Sequence, residues 1–283
     1  VDDGTLLSPD GSRLFYRDWP ADRARAALYI VHGLGEHSGR YEALAHYLNA
    51  RGISVRAHDH RGHGRSEGQR GGVGSQRDFV NDLKGVFDTY AREQGGAPFL
   101  LGHSLGGLVA AQFAVERLSP IRGLILSSPA LAIRLSGFQK LLFGAMARLL
   151  PRASFANGLD VGVISHDPAV VAAYRADPLI HSRVTPALFR FMLDTMSEVA
   201  ATAPDPMLPV LLQVSGADRL VDPEGARRFF NRLPPGRGTM HWYDDAYHEV
   251  FNETADRRER VLRDLTCWIE TQLADACPDK GSR

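Results

Sequence analysis

Phe99-Leu100-Leu101-Gly102-His103-Ser104-Leu105-Gly106-Gly107-Leu108-Val109-Ala110-Ala111 carries three structural signals in one stretch. An aliphatic run suited to a buried strand enters a knot of small residues, and a helix-forming run leaves it. The turn between them is too tight for ordinary side chains, which explains glycine at 102, 106 and 107. Ser104 stands at its apex within Gly-x-Ser-x-Gly, the arrangement that presents a serine hydroxyl at the end of a strand. The same pattern recurs as Gly64-Arg65-Ser66-Glu67-Gly68. That copy follows the polar run 58–63 and precedes Gly71-Gly72-Val73-Gly74, with neither strand before it nor helix after it. Ser104 is therefore the candidate nucleophile, and Ser66 reads as a loop residue.

Outward from this turn, short aliphatic runs alternate with helical patterns. Strands are expected at 14–19, 27–31, 54–57, 99–102, 123–127, 210–214 and 240–243. Helices are expected at 41–51, 77–94, 104–117, 223–233 and 257–276. This rhythm predicts an α/β fold, a mostly parallel central sheet flanked by helices. Residues 129–209 break it, being helical in pattern with no convincing strand. They read as an inserted helical cap, with 1–128 and 210–283 forming the core. Within the cap, Leu135, Phe138, Leu142, Met146 and Leu149 recur at helical spacing, and Leu141, Phe143 and Leu150 widen the apolar arc. Such an arc fits either a well-buried helix or a cap whose second side meets an oily substrate or a membrane surface.

Bulk properties remove several classes of function. With 33 Lys+Arg against 33 Asp+Glu, the 283-residue chain has no charge excess with which to bind nucleic acid. Its 44% hydrophobic content is that of a chain that buries a core. Cys267 and Cys277 are too close together to staple the fold and do not fix a redox compartment. The N-terminal stretch lacks a basic flank followed by an apolar run, so no signal peptide is expected, although the first residue is Val. No stretch approaches the roughly 20 apolar residues of a spanning helix. The expectation is a cytoplasmic protein, at most peripheral to a membrane.

A serine hydroxyl needs a base and an orienting carboxylate, which in this architecture follow it in the order Ser, acid, His. Asp218 comes just past the 210–214 strand, and His248 lies in the last loop before the closing helix. Both fall where strand C-termini converge. Among rivals, His241 belongs to a strand pattern, and His103 should point away from the nucleophile beside it. Asp244 and Asp245 come one strand too late, and Asp222 beside Pro223 reads as a helix N-cap. The oxyanion donors should be the backbone N–H groups of Leu105 and of Leu34 in His32-Gly33-Leu34-Gly35. His58, His60 and His63 with Asp59 suggest metal ligands at first sight. Without a cysteine or a second acidic cluster to complete a zinc site, they read as a structural loop beneath the active site.

The segments HGLGEHSGRY (32–41), DHRGHGRSEG (59–68), GHSLGG (102–107), DPL (177–179), SGADRLVDP (215–223) and AYHEVFNE (246–253) run in this order over nearly the whole chain. Together they resemble the α/β-hydrolase superfamily, and within it the monoacylglycerol lipase and lysophospholipase-like group. The resemblance implies Ser104, Asp218 and His248 as a triad with Leu34 and Leu105 as oxyanion donors, in agreement with the reading above. It also implies that Glu36 and Arg40 help form the polar end of the pocket, with Tyr174 near the same place. Glu36 and Arg40 are also spaced i, i+4, so a pair that simply holds the loop is the competing reading.

The expected activity is cleavage of single-chain lipid esters, foremost monoacylglycerol, through an acyl-enzyme, with no metal or organic cofactor. Lysophospholipase, general carboxylesterase or acyltransferase chemistry is the alternative, and a non-catalytic hydrolase-like binding module the remaining one. The expected partner is a small lipid ester and not nucleic acid, with possible membrane contact through the cap.

Overall fold

In a computed structural model describing residues 1–134 and 136–274, the aliphatic runs assemble into one eight-stranded sheet. Its strands are β1 (Asp2–Leu7), β2 (Arg13–Trp19), β3 (Ala26–Val31), β4 (Ile53–His58), β5 (Phe99–His103), β6 (Gly123–Ser127), β9 (Val210–Ser215) and β10 (Gly238–Tyr243). They lie in the order β1-β2-β4-β3-β5-β6-β9-β10. β1 and β2 pair antiparallel, as do β2 and β4, and every other pairing is parallel. A parallel sheet buried on both faces needs apolar side chains in both directions. In β3, Tyr29 and Val31 enter one core cluster while Leu28 and Ile30 enter the other.

The helices follow from their apolar faces. α1 (Glu42–Asn49) and α8 (Ala255–Ala274) cover one side of the sheet, burying Leu44 and Leu48 from the first and Leu265 and Ile269 from the second. α2 (Asp78–Glu93) and α3 (Leu105–Val115) cover the other. Every residue of α3 is buried, as a helix of small and apolar residues interrupted by a polar side chain only at Gln112 allows. α7 (Glu224–Phe230) joins β9 to β10.

β1 is an element the sequence pattern did not disclose. Its polar residues Asp2, Asp3 and Gly4 hide a strand whose partner supplies the register, Leu6 opposite Leu14. Residues 129–209 contain α4 (Gly137–Leu149), α5 (Pro168–Ala176) and α6 (Pro186–Ala201), and also two short antiparallel strands, β7 (Phe155–Ala156) and β8 (Arg183–Val184). α6 packs along α3, and its Leu188, Phe191, Met192 and Val199 enter the same cluster as the sheet, so this end of the interval is continuous with the main core. Leu135, the side chains of Phe138, Leu141, Leu142 and Phe143, and Cys277 lie outside the described residues. Met146 is half-buried, whereas Leu149 and Leu150 are exposed. Among the described residues no helix is long and apolar enough to cross a membrane.

The connection from β3 turns toward β4, while that from β5 turns toward β6. Neighbouring strands whose connections diverge leave a crevice at their C-terminal ends, the usual binding position in such sheets.

Candidate active site

Ser104 sits at that crevice with φ 54° and ψ −119°, a backbone conformation that costs a non-glycine residue about 1–3 kcal/mol and persists only where the surroundings impose it. The surroundings are visible. Ser104 N donates to Ser127 O at 3.1 Å, and Ser104 O accepts from Leu108 N at 3.1 Å and Ala130 N at 2.9 Å. A Cβ on Gly106 would run into the carbonyls of Val31 and His32, and one on Gly102 into the carbonyl of Gly106. The strand and helix therefore meet at backbone distance, and the serine is lifted out of the core, half-buried between fully buried neighbours.

Asp218 and His248 come from the loops after β9 and β10. Asp218 Oδ1 accepts from Leu220 N at 2.8 Å and Val221 N at 3.0 Å, which leaves Oδ2 to meet His248 Nδ1 at 2.7 Å. Both residues are 4% exposed. Burial favours the neutral acid at Asp218, but His248 and the two backbone donors outweigh it and hold the carboxyl below its usual value. Burial likewise opposes a charge on His248, yet Asp218 more than compensates, and the imidazole is raised above 6.5. With Nδ1–H given to the carboxylate, Nε2 keeps its lone pair and is the basic atom.

Ser104 and His248 line one cavity of about 260 Å³, with Leu34, Leu105, Glu36 and Tyr174 also in its wall. Most of the remaining wall is apolar and comes largely from residues 129–209, including Ile133, Leu159, Val161, Ile164, Phe189 and Met192. Arg134 and Arg219 add positive groups.

Arg40 is placed differently from Glu36 and Tyr174. It does not line this cavity but borders a neighbouring depression with His37 and Asp177. Its guanidinium bonds Glu36 Oε2 at 2.9 Å, so the i, i+4 pair is present. It also grips Glu249, a residue that sequence reasoning passed over. The only signal for Glu249 was its place next to His248, because its partner is 209 positions away. Burial alone would raise Glu36, but Arg40 and the nearby imidazoles carry it below the ordinary carboxylate value.

The competing residues have structural partners. Ser66 is buried in a loop, its Oγ donating to Asp59 O at 2.6 Å and accepting from Phe15 N at 2.9 Å. Asp59 accepts from Ser38 N, Ser38 Oγ and Arg65 N at 2.6–2.8 Å, which fastens the 58–66 loop beneath the turn after β3. His60 N donates to His32 Nε2 at 2.9 Å, and the His60 ring nitrogen meets His32 O at 3.0 Å. His58 bonds Tyr29 Oη at 3.1 Å, and His63 bonds Arg61 O at 3.0 Å. His241 is a partly exposed neighbour of Asp264, and Asp244 and Asp245 are exposed. Asp222 accepts from Glu224 N at 3.3 Å at the start of α7. His103, expected to point away, lines the cavity and packs its ring 4.8 Å from that of His248. The tight elbow swings its side chain toward Ser127, whose Oγ it bonds at 3.1 Å. Burial, then the neighbouring His248, depress its pKa to about 4, so it stands neutral beside His248.

Residues 22–255 match the serine aminopeptidase S33 hydrolase family. Rat monoglyceride lipase is 35% identical over 277 residues, covering 96% of this chain and 91% of that protein. Phospholipase YtpA of Bacillus subtilis is 30% identical, covering 87% and 95% respectively. The crystal structure of a monoacylglycerol lipase from Paleococcus ferrophilus superposes with a TM-score of 0.82 at 37% identity, covering 92% of this chain and 99% of that one.

Proposed function

The chain belongs to the serine aminopeptidase S33 hydrolase family and is kin to the monoglyceride lipases, and from that premise we propose that it cleaves monoacylglycerol to glycerol and a fatty acid. The observation that carries this reading is a serine on a strained elbow, sharing one largely apolar cavity with a histidine bonded to a buried aspartate. Ser104 Oγ attacks the ester carbonyl as His248 Nε2 takes its proton. The backbone N–H groups of Leu34 and Leu105 stabilise the oxyanion, each contributing about 2.7–4 kcal/mol at the transition state. His248 returns the proton to the departing glycerol, then deprotonates the water that releases the acyl group from Ser104. Asp218 holds the imidazole tautomer throughout. None of these steps calls for a metal or cofactor.

Residues 129–209 act in this reading as a cap whose apolar wall receives the acyl chain, while Glu36 and Tyr174 face the alcohol. The exposed Leu149 and Leu150 at the end of α4 favour a cap that touches a lipid surface. Liposome flotation with no binding would remove that part alone. A peptidase reading needs a free carboxylate for the substrate ammonium, and both Glu36 and Glu249 are already paired with Arg40. A second reading, lysophospholipid cleavage, is favoured by Arg219 in the cavity wall, which suits a phosphodiester, whereas Arg134 beside it is paired with Asp222. A panel of monooleoylglycerol, lysophosphatidylcholine, triolein and a short p-nitrophenyl ester tests the choice. The highest kcat/KM is expected for monooleoylglycerol, and failure to cleave it while the short ester is hydrolysed would overturn the assignment.

A further inference from the structure

Arg40 Nη1 bonds Glu36 Oε2 at 2.9 Å and Glu249 Oε1 at 2.6 Å, while Nη2 takes Glu249 Oε2 at 2.7 Å. Each carboxylate has a second task. Glu36 Oε1 accepts from Gly33 N at 2.6 Å and from Tyr41 Oη at 2.9 Å, which pins the turn that carries the Leu34 N–H. Glu249 Oε2 also accepts from Asn252 Nδ2 at 2.9 Å, and Glu249 directly follows His248, its backbone N donating to Ile164 O at 2.8 Å. One guanidinium thus closes a link from the loop after β3 to the loop after β10.

The link is shielded. Arg40, Glu36 and Glu249 side chains are 10%, 5% and 7% exposed, and the Tyr174 ring lies 4.7 Å from the guanidinium carbon. In such surroundings a two-point guanidinium–carboxylate contact fixes both distance and plane, which a flexible ammonium cannot do. The guanidinium's partners Glu36, Glu249 and Tyr174 line the cavity, and Arg40 does not.

We infer that Arg40 and Glu249 are positioning residues, a clip that sets the distance between the oxyanion donor at Leu34 and the base at His248, rather than ligands of the substrate's alcohol. A displacement of about 1 Å between reacting groups costs on the order of a hundredfold in rate, so the clip acts on kcat. Its loss slows every ester alike, because the two loops serve the carbonyl carbon and not the leaving group. The inference rests on the reading of Ser104 and His248 as the reacting pair.

Arg40→Gln, Arg40→Lys and Glu249→Gln, assayed on monooleoylglycerol and on p-nitrophenyl octanoate, whose alcohol carries no free hydroxyl pair, separate the roles. Rates are expressed per site titrated with an alkylphosphonate, and thermal melts are recorded for each variant. The expected result is a fall in kcat of tenfold or more on both esters by a common factor, with KM within about twofold. Arg40→Lys, which keeps the charge but not the fork, should recover part of that loss. If Arg40→Gln does not fold, Glu249→Gln decides, since it leaves the Arg40–Glu36 pair intact. A rise in KM confined to monooleoylglycerol would make Arg40 a head-group residue, and a lower melting temperature with unchanged kcat would make the cluster merely structural. Either result overturns the inference. An active Ser104→Ala would instead defeat the proposed function, whereas an inert Ser104→Ala beside unimpaired Arg40 and Glu249 variants defeats only the clip.

Discussion

Mild acid should strongly destabilise this protein, and the buried His58, His60 and His63 set the magnitude. His58, His60 and His63 are 0% exposed, and each leaves one ring nitrogen without a hydrogen-bond partner among the described residues. Burial, reinforced by the neighbouring His32, depresses His58 to about 3 and His60 and His63 well below the usual 6.5. Between those values and 6.5 the unfolded chain binds protons that the folded chain refuses, so stability present above pH 6.5 is lost as the pH falls. Each proton taken up only on unfolding costs about 1.4 kcal/mol for every pH unit below 6.5, so at pH 5 the loss is about 2 kcal/mol per histidine and about 6 kcal/mol for the three. Against the roughly 5–15 kcal/mol by which a domain is ordinarily stable, that is a large share of the whole. His103, at about 4, adds to the loss. His248, raised above 6.5, contributes stability that is fully present below 6.5 and does not oppose the trend there. Urea unfolding from pH 7.5 to 5 should give a slope of about 4 kcal/mol per pH unit or more below pH 6, the uptake of three protons with His103 adding to it. His63→Gln should lower that slope by about one proton's worth, roughly 1.4 kcal/mol per pH unit. A stability that stays flat from pH 6.5 to 5 would refute the reasoning.

Other expectations follow from the same geometry. Asp218→Asn should fold normally but lower kcat by about ten-thousandfold, because the asparagine no longer fixes the His248 tautomer; near-normal turnover would contradict the Nδ1 assignment. The acid limb of kcat/KM should lie above pH 6.5, since Asp218 raises His248 and the protonated imidazole cannot act as base; a limb below that value would deny the coupling. Gly106→Ala should destabilise the fold by about 1–3 kcal/mol or more, because the added methyl enters the carbonyls of Val31 and His32, and urea midpoints read this directly.

How much of this was legible in the sequence depended on whether the cause was local. The elbow at Ser104 is written in adjacent glycines and in the strand and helix that flank it, which also separates it from Ser66. Asp218 and His248 are legible from strand ends, because this topology brings the loops after the parallel strands together at their C-terminal ends. β1 was hidden because its register comes from β2 rather than from its own polar residues. The division at 129–209 marks where strand rhythm stops, but not that α6 packs into the main core through contacts with α3. Glu249 was missed for the same reason. Its position beside His248 is visible, but its grip on Arg40 exists only once β3 and β10 have brought their loops together.

The most direct measurement is the release of glycerol and oleate from monooleoylglycerol by the intact chain and by Ser104→Ala. Sustained turnover by the intact chain and a loss of about a millionfold in the variant are expected. Near-equal release by both, or none by the intact chain under conditions where it folds, would contradict the account.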